Sequence, residues 1–336
     1  MKKIINQATD VVTEMLDGIN WMNSDLVHRI EGTDVIARNL EKSGKTGLIS
    51  GGGSGHEPAH AGFVGEGMLS AAISGAVFTS PTPDQILEAI KAADEGQGVF
   101  MVIKNYSGDV MNFDMARELA EMEDIAVDSI IVDDDIAVED SLYTQGKRGV
   151  AGTIFVHKIL GNAARNGKSL AEIKELAEKI VPNIKTIGVA LSGATVPEVG
   201  KPGFVLEEDE IEYGIGIHGE PGYRKEKLPT SAGLAEELTG KLLEAFEAKS
   251  GEKFAVLVNG MGSTPLMEEY IFAQDVMKIL NDKGIDVVYK KIGDFMTSLD
   301  MAGLSLTLMK IEDPAWVDAL KAFSNTPAWV SIGEGK

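Results

Sequence analysis

The chain has 336 residues, a net charge of −21, 44% hydrophobic residues, 38 glycines and no cysteine. An acidic surface of this size repels nucleic-acid phosphates, and the lack of cysteine excludes disulfides and thiolate chemistry and fits a cytoplasmic protein. No apolar run approaches the roughly 20 residues that cross a bilayer, and MKKIINQATDVV has no apolar segment behind its lysines to make a signal peptide.

Short apolar runs alternate with amphipathic stretches almost throughout. In chain order, strands are predicted at Gly47–Ser50 and Val99–Ile103, then a helix with Met111, Met115, Leu119 and Met122 on one face, then a strand at Ser129–Val132. A helix with Leu170, Ile173, Ala177 and Ile180 in line follows, ended by Pro182. Val181–Lys185 is the expected boundary, and a strand at Ile187–Leu191 opens the second half. Gly193–Arg224 is irregular, an excursion long enough to be functional, and Ile211–Ile217 within it reads as a strand or hairpin. Then come a helix with Leu234, Leu238, Leu242 and Ala245 on one side, strands at Phe254–Val258 and Val287–Tyr289, and a last helix. That helix has Asp313 as N-cap, Pro314 in its first turn, and Trp316, Leu320 and Phe323 inward. Continuous apolar strands alternating with helices predict an α/β fold. Two domains are expected, residues 1–184 and 185–336, each a largely parallel or mixed sheet flanked by helices.

Three places carry candidate chemistry. Gly51-Gly52-Gly53-Ser54-Gly55-His56-Glu57-Pro58 follows a strand and is expected to lead into a helix. Such a loop exposes backbone N–H groups to a phosphate or a small polyol, and His56 adds a titratable ring at a strand end. Lys104-Asn105-Tyr106-Ser107-Gly108-Asp109 follows the next strand and opens on the same edge if the two strands are parallel. Gly214-Ile215-Gly216-Ile217-His218-Gly219-Glu220-Pro221-Gly222 leaves the His218 imidazole sterically open among glycines. On these residues alone, a tight turn, an N-cap at Asp109, a solvated Lys104 and a surface histidine stand as the plain alternatives.

Other features read as structure. Asp133–Asp135 reads as a solvated acidic run, with a divalent-ion site as the alternative, and Gly260–Pro265 as a strand-to-helix turn. His28, His60 and His157 have no evident partners, and no three histidines show metal-ligand spacing. Gly44-Lys45-Thr46 is no P-loop, because position 39 is Asn and the triplet precedes its strand.

Taken together, GGGSGHEP at 51–58, FTSPTPDQ at 78–85, KNYSGD at 104–109, GIGIHGEPG at 214–222 and VNGMGSTP at 258–265 resemble the K-subunit family of dihydroxyacetone kinases, in order and along the whole chain. The resemblance implies two α/β domains, a homodimer, and a dihydroxyacetone site built mainly in the first domain and reached by the His218 loop. It implies that His218 adds through an imidazole nitrogen to the substrate ketone, that Asp109 is an acid/base and His56 a second proton-transfer group. Gly53 and Lys104 correspond to substrate-binding positions, with Ser54 and Gly55 beside them on the glycine loop. An imidazole nitrogen can attack a ketone to give a hemiaminal but has no second proton to lose, so the adduct cannot dehydrate to a neutral imine. Glycerol has no carbonyl and is rejected.

With no P-loop and a length close to one K-type module, the resemblance further implies the bacterial phosphotransferase-system form, active only with partner subunits. No nucleotide or metal is expected on this chain. A separate L subunit would hold the nucleotide and magnesium, and a phosphotransferase-system protein would recharge the ADP. An unfused ATP-dependent enzyme and a generic α/β sugar-phosphate binder are weaker readings. The main alternative is a K-like paralogue that binds dihydroxyacetone and coactivates a transcription regulator, and the presence of His56 and Asp109 beside His218 favours the enzyme.

Overall fold

The computed structural model describes residues 2–139 and 144–333. The first half runs α1 (Val11–Met22), β1 (Val27–Arg29), β2 (Val35–Arg38), β3 (Gly47–Ser54), β4 (Ala71–Val77), α2 (Pro83–Ala93), β5 (Val99–Lys104), α3 (Ser107–Glu121), β6 (Val127–Val132), α4 (Thr153–Arg165) and α5 (Leu170–Ile180). The second runs β7 (Ile184–Ala190), β8 (Glu210–Tyr213), β9 (Arg224–Lys227), α6 (Ser231–Ala245), β10 (Lys253–Gly260), α7 (Leu266–Asp282), β11 (Asp286–Gly293), β12 (Gly303–Lys310), α8 (Pro314–Lys321), β13 (Ser324–Asn325) and β14 (Val330–Ser331).

Two six-stranded mixed sheets result, ordered β1-β2-β4-β3-β5-β6 and β11-β10-β12-β7-β8-β9. In the first, β4, β3, β5 and β6 are parallel and β1 and β2 antiparallel additions. In the second only β10 and β11 run parallel. The apolar runs of β5 and of Leu48–Ile49 are buried along their length because helices cover both faces. α4 is buried almost all round, and it packs on β3, β5, α5 and α8. One apolar cluster joins residues of both halves, among them Phe63, Phe155, Leu257, Met309, Trp316 and Trp329. The chain beyond β12 returns to the first half, where Lys158 donates to the Ala319 and Ala322 carbonyls at 3.0 and 2.7 Å.

The expected strands and helices form, most of them longer than the apolar run that marked them. α5 is capped by a reciprocal Ser169–Glu172 box, a device worth about 1 kcal/mol. Asp313 caps α8, accepting from the Ala315 N–H, and Trp316 and Leu320 point inward, whereas Phe323 lies beyond the helix and is half-buried. Strands β1, β2, β4, β9, β12, β13 and β14 lie outside the expected runs. No regular helix follows the glycine run: β3 itself continues through Gly51–Gly53 to Ser54, and turns occupy the next residues. The second half holds that segment open, since Leu299 N–H donates to Gly55 O and Thr297 N–H to His56 O.

One further expectation is corrected, and the shared face of the α3 methionines proves to be the outer one. α3 buries Asp109, Phe113, Ala116 and Ala120 and turns Met111, Met115, Leu119 and Met122 to solvent. The Asp133–Asp135 run is not solvated beyond Asp133. Asp134 accepts from the Val150 and Gly152 N–H groups and the Thr186 hydroxyl, and Asp135 pairs with Arg148. Among the described residues no helix is long and apolar enough to cross a membrane.

Candidate active site

Because β3 and β5 are adjacent and parallel, their C-terminal ends open on one edge of the sheet, where α/β proteins gather ligand-binding loops. The segment after β3 carries His56, and the β5–α3 junction carries Lys104, Tyr106 and Asp109. The connection from β8 to β9 brings His218 across to both. The cavity there has a volume of about 660 Å³ and is lined by Gly53, Phe78, Thr79, Ser80, Tyr106, Ser107, Gly108, Asp109, Asn112 and His218.

His218 is the centre of the arrangement. Its Nδ1 lies 2.9 Å from Glu220 Oε1, and its backbone N–H donates to Glu220 Oε2 at 2.9 Å. A carboxylate only accepts, so Nδ1 carries a proton and Nε2 is the ring nitrogen turned to the cavity side. Nε2 faces Nε2 of His56 at 3.1 Å. His56 Nδ1 is 2.8 Å from the Thr297 carbonyl and must donate to it. With both Nδ1 atoms donating outward, the bond between the two Nε2 atoms requires one further shared proton. Burial, then the neighbouring His218 and Lys104, push the His56 imidazole well below the usual histidine range. Aromatic rings fix both imidazoles: Phe78 stacks on His56 with centroids 5.2 Å apart, and Tyr106 meets His218 edge-on at 4.6 Å. Phe78 holds a left-handed backbone at φ +57°, as does Leu299 at φ +53° beside the same loop, an outlier for bulky residues that marks functional sites.

Asp109 is the third residue of α3 and caps nothing, since the N-cap is Tyr106 and makes no side-chain bond. Lys104 is fully buried, with its ammonium 3.4 Å from Asp109 Oδ2. It fits there because Gly52 has no side chain, and a Cβ at that position would lie 2.5 Å from Nζ.

The structure thus puts Gly53, Asp109 and His218 on the cavity wall and His56 and Lys104 in the layer behind it. Ser54 and Gly55 do not line the cavity. The Ser54 hydroxyl donates to the Gly75 carbonyl at 2.7 Å, and the Gly55 N–H is taken by the Glu57 carboxylate at 2.9 and 3.1 Å. The expected row of free N–H groups is therefore spent at Gly55. Sequence reasoning gave no role to Glu220, Phe78, Thr79, Ser80, Tyr106 or Asn112. An acid two residues beyond a loop histidine was the available sign for Glu220, while Phe78 is marked only by its backbone conformation. His60 and His157, read as partnerless, bond to each other at 2.9 Å deep in the first half, and burial pushes both below the usual range.

A family model of the Dak1 domain matches residues 17–328. The dihydroxyacetone-binding subunit of the PTS-dependent dihydroxyacetone kinase of Lactococcus lactis is 65% identical over 328 residues, covering 98% of this chain and 99% of that one. The DhaKLM operon coactivator of the same organism is 45% identical, over 97% of this chain and 100% of its own. The solved structure of the dihydroxyacetone kinase of C. freundii has a TM-score of 0.89 at 35% identity, covering 98% of this chain and 60% of that one. With a match that takes in both sheets and every loop that converges on His218, the chain belongs to the Dak1 domain family.

Proposed function

We infer that this protein is the dihydroxyacetone-binding subunit of a PTS-dependent dihydroxyacetone kinase, a phosphotransferase whose phosphoryl donor arrives on a partner subunit. The observation that carries the chemical reading is His218 itself: its Nδ1 is committed to Glu220 and its Nε2 stands at the cavity wall beside a second imidazole. Dihydroxyacetone entering the cavity places its ketone against that nitrogen. The Nε2 lone pair forms a bond to the carbonyl carbon, the π pair moves to oxygen, and the oxygen takes the proton that the two imidazoles share. The product is a hemiaminal on His218 with an intact carbon skeleton and no water lost. A polyol without a carbonyl cannot make this bond, which discriminates more strongly than shape among molecules this small.

With the ketose fixed, a terminal hydroxyl attacks the γ-phosphorus of a nucleotide. Asp109 lines the cavity and takes the hydroxyl proton, whereas His56 lies behind His218 and serves the carbonyl oxygen. General-base help of this kind is worth roughly 10²–10⁴-fold in rate. We place the nucleotide and its magnesium ions on an L-type partner, recharged by a phosphotransferase-system protein. In this reading the subunit is a homodimer in the cytoplasm, which light scattering and fractionation check. The similarity to the Lactococcus lactis kinase subunit exceeds that to the coactivator, 65% against 45% identity, and His56 and Asp109 serve proton transfers that ligand capture alone does not need.

The test is intact-mass spectrometry with dihydroxyacetone on wild type and His218→Ala, beside phosphorylation assays with the L-type partner and either donor. An adduct equal to protein plus the whole ketose, absent in the variant and unaffected by borohydride, with partner-dependent product, is expected. An adduct without turnover under any donor points to the coactivator function. No adduct in a protein that still binds the ketose refutes the covalent step.

A further inference from the structure

The His218 loop is tied to the first half of the molecule by three buried charges, Asp135, Arg148 and Glu220, that lead to the part-exposed imidazole. We propose that Glu220 is the counter-ion of the covalent adduct and that Arg148, anchored by Asp135, is the residue that positions it. The inference rests on the hemiaminal reading and goes beyond it by naming what makes that bond stable.

The geometry is specific. Glu220 is 2% exposed, and each of its oxygens takes one hydrogen bond from His218, through the backbone N–H and Nδ1. Arg148 is wholly buried. Its Nε donates to Asp135 Oδ2 at 2.8 Å, and its Nη2, 2.7 Å from the same oxygen in the ion pair, donates to the Gly214 carbonyl at 2.7 Å, at the start of the His218 loop. Its Nη1 has no hydrogen-bond partner. That atom and Glu220 Oε2 converge on Gly216, where an added Cβ would lie 2.8 Å from the first and 2.0 Å from the second. The absent side chain is what lets the guanidinium approach the carboxylate. Burial works to raise the Glu220 carboxyl, yet His218 and then Arg148 hold it down at about 2, so it is charged at neutral pH.

The chemistry follows from proton counting. Attack requires the shared proton on His56, the state that burial disfavours, and His218 is then a neutral ring with Nδ1–H and a free Nε2 pair. Bond formation consumes that pair, and the His56 proton passes to the new hydroxyl. The net charge is unchanged, but the positive charge now resides on the His218 ring, an imidazolium with carbon on Nε2 and hydrogen on Nδ1. A cation largely withdrawn from water is costly when unpaired. The group facing Nδ1–H is the buried Glu220 carboxylate, so the adduct is an ion pair formed at the moment of bonding. Arg148, held by Asp135 and the Gly214 carbonyl, sets its charge near that carboxylate across Gly216 and favours its ionised form.

The experiment measures covalent and non-covalent binding separately. Dihydroxyacetone labelled with ¹³C at the ketone carbon gives distinct NMR signals for the bound tetrahedral adduct and the bound carbonyl, and glycerol affinity reports the pocket without the bond. Glu220→Gln keeps an acceptor for Nδ1–H but removes the charge. It is expected to lower the covalent-to-non-covalent ratio roughly 10- to 100-fold, the worth of a charge-assisted over a neutral hydrogen bond with one bond lost, with glycerol affinity little changed. Arg148→Met is expected to lower the ratio in the same direction, and Glu220→Asp to restore part of it. A wild-type ratio in Glu220→Gln overturns the proposal. So does parallel loss of glycerol binding, which would assign Glu220 to building the pocket. A wild-type protein with no tetrahedral signal refutes the covalent reading itself, a different outcome from either.

Discussion

Replacing Lys104 by methionine tests whether the floor of the cavity is an ion pair or two separately accommodated groups. The ammonium stands 3.4 Å from Asp109 Oδ2, with no exposed side-chain surface on Lys104 and 4% on Asp109. At that separation the attraction is about 5 kcal/mol for an effective dielectric of 20, and the loss of hydration on both ions offsets much of it. The net worth of the pair is therefore small, but removing one member strands the other. Lys104→Met leaves a buried carboxylate, and Asp109→Asn leaves a buried ammonium beside His56. Each is expected to cost roughly 3–5 kcal/mol. The double variant strands no charge and should be more stable than the sum of the two losses by about 2 kcal/mol or more, in the upper range for contacting residues. Urea unfolding of all four proteins measures this, provided the m-value is constant across them. Additivity within about 0.5 kcal/mol would refute the pairing. Lys104 also helps to lower the His56 pKa, so Lys104→Met should raise it, which NMR titration of the ring reads independently.

Three other outcomes are expected. Glu269 is 1% exposed, its Oε2 has no hydrogen-bond partner, and burial followed by Asp294 pushes its carboxyl up to about 7. The folded state then binds more protons than the unfolded one between pH 4.5 and about 7, so stability falls with rising pH across that window. Glu269→Gln should raise the melting temperature at pH 8 and much less at pH 4.5, and an equal gain at both would discredit the argument. His157 is held neutral by burial, at about 3 against the usual 6.5 of a histidine, so the folded state binds fewer protons and stability is lost as pH falls below 6.5. The slope approaches about 1.4 kcal/mol per pH unit for this group, and His157→Gln should flatten the acid limb of an unfolding curve; an unaltered limb tells against it. The methionine stripe on the outer face of α3 begins two residues beyond Asp109, where a partner covering the cavity would rest. Met111→Glu with Met115→Glu should leave the mass adduct intact and raise the L-subunit concentration needed for half-maximal turnover. An unchanged requirement rules that face out.

What the sequence made legible was local. Continuous apolar runs such as Val99–Ile103 and a proline after an acidic cap at Asp313 carry their own conformational preference, and their elements formed where expected. The strands left out are instructive for the same reason. β4, Ala71–Val77, contains a glycine and a serine and is held by neighbours on both sides, and β12 alternates Leu with Ser and Thr. Thr307 of β12 is buried with its hydroxyl bonded to Thr186, so a polar residue at a core position hid a central strand. α3 is the reverse case, a helix read correctly whose inner face was left open. Its methionines lie in line, but alanines at 116 and 120 with Phe113 fill the narrow space against β5, and apolarity alone does not say which face is inside.

The site divides along the same line. His56, Asp109 and His218 could be singled out because glycines and strand ends announce an open side chain nearby in sequence. The groups that set their behaviour could not. Thr297 fixes the His56 tautomer from another part of the chain, and Asp133–Asp135 looked solvated because nothing near it in sequence offers a counter-charge. Arg148, which completes Asp135 and stands over Glu220, is separated from the His218 loop by α4, α5, β7 and β8. A catalytic side chain needs local space, which glycine patterns reveal. A buried counter-ion needs a partner brought by the fold, and its composition is that of any surface charge until the packing is known. The acid run and Arg148 share one connection, between β6 and α4, and became readable only when the fold turned that connection back so that the two meet.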